Sequence, residues 1–341
     1  MMIKARAPMR IDFAGGWTDV PVFADREGGA VTAAAVNVYV HVECLVGGGK
    51  IKLGAEDLGQ RVTLQSAGLI AYDGQLDLHK AALNMLPVTG GIEVVTRSDA
   101  PAGSGLGASG ALDVALLAAL ARCRREDFSA EELAELGYQL EARELGMLGG
   151  RQDQLSAALG GFHHFEFGEN GVVLRELELD VEQIADLERH LVVAYTAQSH
   201  FSSATHAQVW STYDSGDARV TAALRGLRAL ASQASAALAD GDWRALASIL
   251  DENWSQQQKL HATIATPGMR LIETAARRAG AWGAKATGAG AGGCMVFLVR
   301  PDDRAAVIGA VDAAGGRVLD VRFSPVGVEA WAEEDDALAG G

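Results

Sequence analysis

A ten-residue segment with four glycines, PAGSGLGASG at Pro101–Gly110, constrains the fold of this chain more than any other part of its sequence. The Ala/Leu-rich stretch Ala111–Ala121 follows it at once and is typical of a buried helix. Glycines let a backbone approach a polyanion closely, and the N–H groups of a first helical turn carry partial positive charge. The segment matches neither a Walker loop nor a dinucleotide fingerprint. It predicts another kind of phosphate-binding loop or a Gly/Ser turn before a buried helix, and both remain open at this point.

The charge balance and the cysteines exclude several classes of function. With 29 Lys and Arg against 44 Asp and Glu, the formal net charge of -15 repels nucleic acid and anionic membranes. Cys44, Cys123 and Cys294 lie far apart, which supports neither a disulfide framework nor a zinc site. No signal peptide is recognisable, and the longest apolar run, Ala111–Ala121, falls short of the roughly 20 residues that a membrane span needs. We therefore expect a cytoplasmic protein that binds no nucleic acid and no membrane, and whose 341 residues leave room for two domains.

The hydrophobic pattern predicts both strands and helices. A helix is expected to begin at Ser129 with a capping box, and an Ala/Leu-rich helical region extends over Val220–Ala276 with breaks near Gly241 and Pro267. The triple glycine at Gly47–Gly49 makes a hairpin plausible between the second strand and the segment that begins at Ile51. Strands are predicted at Ile3–Phe13, Val31–Leu45, Gly91–Thr96, Phe162–Phe167, Leu191–Thr196 and Cys294–Val299.

A second glycine cluster, KATGAGAGG at Lys285–Gly293, lies directly before the last of these strands. By itself it is compatible with a tight turn under the C-terminal helices. Two such loops in one chain favour a bipartite polyphosphate or active-site cradle more strongly than either loop does alone.

The segment GGRQDQ at Gly149–Gln154 carries Asp153 after a helical stretch that contains Glu141. An Asp in this setting is often only a helix cap. Phosphoryl transfer, however, needs a carboxylate for the accepting hydroxyl, a metal ligand and a cation for the developing charge. Asp153, Glu141 with Ser109, and Arg10 supply one group for each of these roles.

The N-terminal block places Trp17 and Asp19 in a turn straight after a strand. An aromatic ring and a carboxylate suit a sugar, which presents an apolar ring face and pairs of hydroxyl groups. A surface turn with an anchored Trp is the alternative.

Taken together, the blocks RAPMRIDFAGGWTDV, PAGSGLGASGA and KATGAGAGG resemble the three motifs of the galactokinase, homoserine kinase, mevalonate kinase and phosphomevalonate kinase (GHMP) superfamily, in its order and spacing. The resemblance runs from Arg6 to about Val299. It implies an α+β fold of two domains: a ribosomal-S5-like nucleotide-binding domain over 1–185 and a ferredoxin-like domain over 186–331, followed by an acidic tail over 332–341.

The resemblance also implies roles for individual residues. Asp153 matches the catalytic base with Arg10 as the cation beside it, and Ser109 and Glu141 match the ligands of Mg²⁺. The ATP-binding residues are expected to be Pro101, Gly103, Ser104, Gly105, Leu106, Gly107, Ala108 and Ser109. The substrate-binding residues are expected to be Trp17, Thr18, Asp19, Gln152, Gly288, Ala289 and Gly290.

One departure from the family pattern concerns Ser109. The nucleotide loop of the family more often carries consecutive serines, whereas here Ala108 and Gly110 flank a single hydroxyl. Loss of Ser109 should therefore be severe, because no neighbour can replace it.

Within the superfamily, AGGWTDVP, GGRQDQLSAALGGFHHFEF and ENWSQQQKL most resemble bacterial heptose 7-phosphate 1-kinases. The Trp17 variant of the first motif also resembles the kinase domain of L-fucokinases. The resemblance implies an ATP- and Mg²⁺-dependent kinase that phosphorylates a sugar at its anomeric hydroxyl, with heptose 7-phosphate as the first expectation. L-fucose or another free sugar is the alternative acceptor, and a catalytically silent sugar or nucleotide sensor is the alternative of another class; whether the chain forms a homo-oligomer stays open. Candidate cations for a 7-phosphate are Arg151, His163, His164, His200, His206 and Lys259.

Overall fold

The computed structural model describes residues 2–65, 68–197 and 203–333, which form two antiparallel-rich sheets surrounded by helices. The first sheet contains β1 (Met2–Ala14), β2 (Gly29–Val46), β3 (Lys50–Ala55), β4 (Gln60–Gln65), β5 (Ile92–Ser98), β6 (Phe162–Gly168), β7 (Gly171–Glu176) and β12 (Glu329–Glu333). The second sheet contains β8 (Leu191–Tyr195), β9 (Ala281–Ala286), β10 (Cys294–Val299) and β11 (Arg317–Leu319).

Eleven α-helices accompany these strands in the described ranges. They are α1 (Pro21–Glu27), α2 (Asp77–Met85), α3 (Ala108–Arg124), α4 (Ala130–Gln139), α5 (Gln152–Leu159), α6 (Val181–His190), α7 (Ser203–Asp214), α8 (Ala218–Asp240), α9 (Trp243–Leu260), α10 (Pro267–Arg278) and α11 (Arg304–Ala313). A π-helical turn, Leu140–Glu144, continues α4, and a 3-10 turn, Pro301–Asp303, precedes α11.

The long antiparallel pair β1 and β2 is the centre of the first sheet, with register from Met2 opposite Leu45 to Ala14 opposite Thr32. Two irregularities interrupt this ladder, one after Pro8, which has no N–H to donate, and one after Asp12. Bulges of this kind re-aim side chains, and here they flank the segment that carries Arg10 and Asp12.

Most sequence predictions about individual elements are confirmed. The helix after the first glycine loop is buried along Ala111–Ala121, and Ser129 caps α4 in a capping box with Glu132. The helical region after residue 218 breaks at Gly241 and again before Pro267. No helix in the described ranges is long and apolar enough to cross a bilayer.

The predicted hairpin between β2 and β3 is wrong. Strand β5 lies between them, antiparallel to β2 and parallel to β3. The turn opens because Gly47 N donates to Gly91 O and Gly91 N donates to Gly48 O, at 2.9 and 3.0 Å. These bonds admit the start of β5 where a tight turn would have closed the hairpin.

The α+β architecture expected from the family resemblance is confirmed, whereas the boundary between 185 and 186 stays a prediction. The last strand, β12, returns to pair with β1, so residues 332 and 333 lie in the first sheet. The rest of the predicted tail, 334–341, lies outside the described residues.

The N-terminal block after β1 packs into the hydrophobic core of the second sheet. Trp17, Val20 and Phe23 are buried there beside Trp210 and other residues of the C-terminal half. This packing places the turn that carries Asp19 between the two sheets.

Candidate active site

The two glycine loops, Pro101–Gly110 and Lys285–Gly293, are far apart in sequence but touch each other through their backbones. Cys294 N donates to Ser104 O at 2.7 Å. A Cβ on Gly105 would lie 2.6 Å from Thr287 O, and one on Gly288 would lie 2.7 Å from Gly105 O. No side chain fits between the loops, so the glycines are required by close approach and the two loops form one cradle.

The first loop ends as the N-terminal turn of α3. Gly103, Gly105 and Gly107 all have positive φ, between +72° and +78°, a region that favours glycine. Gly107 is the N-cap, and Ser109 lies exposed in the first turn. The free N–H groups of this turn border a cavity of about 650 Å³, which gives an anion-binding helix terminus facing open space.

Arg10 joins the cradle to Asp153. Its Nε and Nη2 lie 2.8 and 2.7 Å from Asp153 Oδ1, and its Nη1 donates to Gly105 O at 2.6 Å. The Arg10 side chain is only 4% exposed, whereas that of Asp153 is 27% exposed and lines the cavity. Asp153 follows the start of α5, and Gly110 lets that turn pack against α3, since a Cβ on Gly110 would lie 2.6 Å from Asp153 Cβ.

Asp19 is buried beside Asp153 and is held by Gln152. Gln152 donates from its backbone N to Asp19 Oδ2 at 3.1 Å and from Nε2 to Asp19 Oδ1 at 3.2 Å. Burial, with the negative charge of Asp153 in addition, raises the pKa of Asp19 to about 6. Gly150 makes this approach feasible, because a Cβ there would overlap the Asp19 carboxylate.

Glu141 lies in the π-helical turn Leu140–Glu144, a type of distortion that is frequent at functional sites. Gln154 Nε2 donates to Glu141 Oε2 at 3.0 Å, while Oε1 is buried without a partner among the described residues. Burial raises the pKa of Glu141, the nearby Ser109 hydroxyl opposes the rise, and the charge of Asp153 adds to it. The arrangement concentrates carboxylate oxygens that a cation would stabilise.

These groups fit a Mg²⁺ ion that is completed by substrate. Mg²⁺ usually takes one or two protein ligands and several oxygens from phosphates and water. Within the described ranges, no group of three His, Cys, Asp or Glu side chains could hold a metal by itself. The Ser109 hydroxyl and Glu141 Oε1, which has no hydrogen-bond partner among the described residues, can provide the one or two protein ligands that such a site requires.

Trp17 adopts φ 81°, which is strained for a residue with a side chain. Its ring stacks on His206 at 4.3 Å between centroids and packs against Trp210 at 5.9 Å. Trp17 and His206 both line the cavity, next to Asp19. Strain at a cavity wall points to a functional constraint, and stacked rings beside a carboxylate suit a sugar.

Comparisons with known proteins agree with this geometry. The sequence profile of the GHMP kinases N terminal domain matches residues 76–161, and that of the GHMP kinases C terminal domain matches residues 234–317. The chain is also 30% identical to D-glycero-alpha-D-manno-heptose 7-phosphate kinase of Campylobacter jejuni, over 96% of this chain and 98% of that protein.

The chain belongs to the GHMP kinase family. It is therefore an ATP-dependent phosphotransferase that acts on an alcohol group.

Two further relatives of this GHMP kinase are informative. A crystal structure described as a D-glycero-D-manno-heptose 1-phosphate kinase from Bacteroides thetaiotaomicron superposes with a TM-score of 0.81 at 27% identity, over 98% of this chain and all of that one. The bifunctional fucokinase/GDP-fucose pyrophosphorylase of Arabidopsis thaliana is 26% identical over 89% of this chain, which spans 30% of that larger protein.

Most of the residues that the sequence singled out line the cavity of this GHMP kinase. The lining residues among them are Arg10, Trp17, Asp19, Gly103, Ser104, Gly105, Gly107, Ala108, Ser109, Glu141, Gln152, Asp153, Gly288, Ala289 and Gly290. Leu106 is wholly buried in the core, and Pro101 does not contribute to the cavity wall.

Thr18, which the sequence also assigned to substrate binding, does not line the cavity. It is wholly buried, its hydroxyl donates to Gly15 O at 2.8 Å, and it accepts from Ala30 N at 3.0 Å. Thr18 therefore fixes the turn that presents Trp17 and Asp19, and its side chain is not available to a substrate.

Sequence reasoning missed two groups of site residues. One is the buried cluster of Asp12 with Lys285 and Thr287, which lies behind Arg10. The other is a wall of the cavity formed by residues near the start of α2 and on β2 and β5, among them Val40, Leu76, His79, Thr96 and Arg97. A charged residue inside an apolar strand, as at Asp12, was the available signal for the first group, whereas the second required knowledge that β5 lies beside β2.

Only one of the candidate cations for a sugar phosphate reaches the cavity within the described residues. Arg151 pairs with Glu135, and Lys259 donates to Gln256. His163 and His164 are buried on β6, away from the cavity wall, and His200 lies outside the described residues. His206 lines the cavity, but burial lowers its pKa, so that it is neutral near pH 7.

Proposed function

We propose that this GHMP kinase transfers the γ-phosphoryl group of ATP to the anomeric hydroxyl of a sugar, with D-glycero-D-manno-heptose 7-phosphate as the first candidate acceptor. The observation that carries this proposal is the position of Asp153, which is held by Arg10 next to the glycine cradle and faces the same cavity as Trp17 and Asp19. The names of the Campylobacter and Bacteroides relatives support the choice of a heptose.

Asp153 is the group that we assign to the accepting hydroxyl. Among the described residues, both bonds from Arg10 reach Oδ1, which leaves Oδ2 to accept the hydroxyl proton. The anomeric oxygen then forms a bond to the γ-phosphorus, and the bond from that phosphorus to the leaving oxygen of ADP breaks. Arg10 keeps the base in place and offsets negative charge, as electrostatic stabilisation in phosphoryl transfer requires.

The nucleotide phosphates are assigned to the cradle. The first turn of α3 offers free N–H groups, and the glycines let the polyphosphate approach the backbone closely. These local contacts can hold the phosphates although the chain has a net charge of -15. Ser109 and Glu141 would hold Mg²⁺, which neutralises charge on the phosphates when it is bound.

The sugar is assigned to the space between Trp17, Asp19 and Asp153. Asp19 is positioned by Gln152 to accept hydrogen bonds from sugar hydroxyls, and the Trp17 ring offers an apolar face. A free sugar such as L-fucose is a second candidate, favoured by one observation. Among the candidate cations, His206 alone lines the cavity within the described ranges, and it is neutral near pH 7, so none of these candidates supplies a positive charge to a 7-phosphate there.

The decisive experiment is an ATP-consumption assay with heptose 7-phosphate, the same heptose without phosphate, L-fucose, mannose, galactose and glucuronate. Purified Asp153→Asn protein serves as the control for contaminating kinases. Product phosphate at C1, read by phosphorus NMR, supports the proposal. If no sugar accelerates ATP consumption, the result favours the alternative that the protein is a catalytically silent sensor. If the phosphate appears at another carbon, the assignment to C1 is wrong.

The two acceptor candidates are separated by the ratio of kcat/KM for the phosphorylated and unphosphorylated heptose. A large preference for the 7-phosphate identifies the phosphate as a recognised group. His206→Ala then shows whether that ring takes part, since a phosphate contact would lower only the 7-phosphate value and a sugar-ring contact would lower both.

A further inference from the structure

A continuous row of hydrogen bonds connects the second sheet to the catalytic pair. Lys285 Nζ donates to Asp12 Oδ2 at 2.7 Å and to Asp12 O at 2.6 Å. Thr287 Oγ1 donates to Asp12 Oδ1 at 2.9 Å, and Arg10 Nη1 lies 3.3 Å from the same Thr287 oxygen. Since Arg10 holds Asp153, the row runs from β9 through β1 to the proposed base.

This row is buried along its length. Lys285 and Thr287 are wholly inaccessible, Asp12 is 1% exposed and Arg10 is 3% exposed. Burying two ionised groups is costly even when they pair, and apolar residues of similar volume often serve stability as well or better. A buried Lys–Asp pair next to a catalytic arginine therefore suggests a role in specifying geometry.

The polar atoms of the row are matched to one another. Asp12 Oδ1 also accepts from Gly288 N at 3.0 Å, so that Asp12 receives donors on both oxygens. Burial by itself raises the pKa of Asp12, but the charges of Lys285 and Arg10 outweigh it and place the pKa below its usual value. Asp12 is thus an anion that can fix the direction of its donors.

The direction of the Thr287 hydroxyl follows from this charge. Thr287 has one proton, and the anionic Asp12 at 2.9 Å is a better acceptor than Gly105 O at 3.3 Å. The lone pairs of Thr287 then face Arg10, whose Nη1 is shared between Gly105 O and Thr287. Two acceptors on one side and Asp153 on the other fix the plane of the guanidinium group.

We propose that Thr287 is a positioning residue for the Arg10–Asp153 pair, and that the buried Asp12–Lys285 pair sets the orientation of its hydroxyl. The kinetic part of this inference rests on the proposed role of Asp153, whereas the geometric part does not. The Thr287 side chain lies behind Arg10 and outside the cavity wall, and its one contact with the nucleotide loop is with Gly105 O at 3.3 Å.

The test uses Thr287→Val, which removes the hydroxyl at nearly constant volume, and Thr287→Ser, which keeps it. Because small displacements of a catalytic group are costly, Thr287→Val should lower kcat about 10- to 100-fold while the KM for ATP changes little. Thr287→Ser should restore most of kcat. Thr32→Val is the matched control, since Thr32 is equally buried and its hydroxyl lies 2.7 Å from Ala231 O, away from the catalytic pair.

Thermal unfolding separates positioning from simple destabilisation. Thr32→Val and Thr287→Val should both lower the melting temperature, but only Thr287→Val should lower kcat at a temperature where each protein is folded. An unchanged kcat in Thr287→Val, or an equal loss in Thr32→Val, overturns the proposal.

A crystal structure of Thr287→Val supplies a readout that does not depend on turnover or on the identity of the acceptor. We expect the Arg10 guanidinium to rotate or to occupy two positions, so that its two contacts with Asp153 Oδ1 are no longer both made. An ordered Arg10 that keeps both contacts overturns the proposal even if the enzyme has another acceptor. Failure of every sugar in the activity assay, with a displaced Arg10 in the variant, would instead count against the proposed function alone.

Discussion

Arg10 directs two nitrogen atoms, Nε and Nη2, to a single oxygen of Asp153, at 2.8 and 2.7 Å. The contact is one-sided, so the second carboxylate oxygen can face the cavity while the first is held. A base held in this way is pre-organised before substrate arrives, which reduces the reorganisation needed during the reaction.

Asp153→Asn keeps the shape of the side chain and an oxygen for Arg10, but it cannot accept the hydroxyl proton. We expect kcat to fall about 10²- to 10⁴-fold, the usual range for loss of a general base, with ATP affinity largely retained. Steady-state kinetics and calorimetric titration with ATP measure the two quantities. A variant that turns over at the wild-type rate would remove Asp153 from the mechanism.

Ser109→Ala tests the single hydroxyl of the nucleotide loop. Its neighbours Ala108 and Gly110 offer no replacement, so the Mg²⁺ concentration for half-maximal rate should rise at least about 10-fold. Ser129→Ala is the control, because Ser129 caps α4 and its loss should cost about 1 kcal/mol of stability without changing the Mg²⁺ requirement. An unchanged Mg²⁺ requirement in Ser109→Ala would show that another group binds the ion.

The sequence was informative about single elements and about the cradle, because both depend on local residue patterns. The strand at Cys294–Val299 and the capping box at Ser129 follow from hydrophobic continuity and from cap chemistry. The order of β2, β5 and β3 could not be read in the same way, since the position of β5 depends on pairing between segments distant in sequence.

In the site, too, residues that belong to local motifs could be predicted, and residues that depend on a distant partner could not. Arg10, Asp153 and the two glycine loops stand in motifs, whereas Asp12 and Lys285 become interpretable only as partners. Each is a charge within an apolar stretch, and a buried charge requires a partner, but the sequence does not say which one. The structural role of Thr18 could not be predicted, because a hydroxyl that stabilises a turn and a hydroxyl that binds a sugar look alike in sequence.

Asp19→Asn should stabilise the protein while weakening sugar binding. The pKa of Asp19 is raised from 3.8 to about 6, so its contribution to stability is fully present below pH 3.8 and is lost as the pH rises through about 6. At pH 8 the charged group costs at most about 3 kcal/mol, which the neutral Asn avoids.

Urea unfolding of both proteins at pH 5 and pH 8 measures this effect. The stability gain of Asp19→Asn should be larger at pH 8, and the KM for the sugar should rise most in the variant at pH 8, where the wild-type Asp19 is charged. In the wild type, sugar affinity should weaken as the pH falls below about 6, because Asp19 then gains a proton. A change in stability that is the same at both pH values would contradict the raised pKa.

Gly105→Ala tests whether the contact between the glycine loops serves ATP binding or only folding. Gly105 has φ +75°, and a Cβ there would lie 2.6 Å from Thr287 O, so the loops must separate. If the first loop were merely a turn before a buried helix, the cost would be confined to stability, roughly 1–2 kcal/mol for the left-handed conformation. If it is a phosphate cradle, the Kd for ATP should rise at least about 10-fold at a temperature where the variant is folded, because its N–H groups no longer converge.

The same substitution at Gly309, exposed on α11 with no atom within 4 Å of the new Cβ, should stabilise the helix by about 1 kcal/mol and leave ATP affinity unchanged. Equal ATP affinity in Gly105→Ala and Gly309→Ala would assign the loop to folding alone.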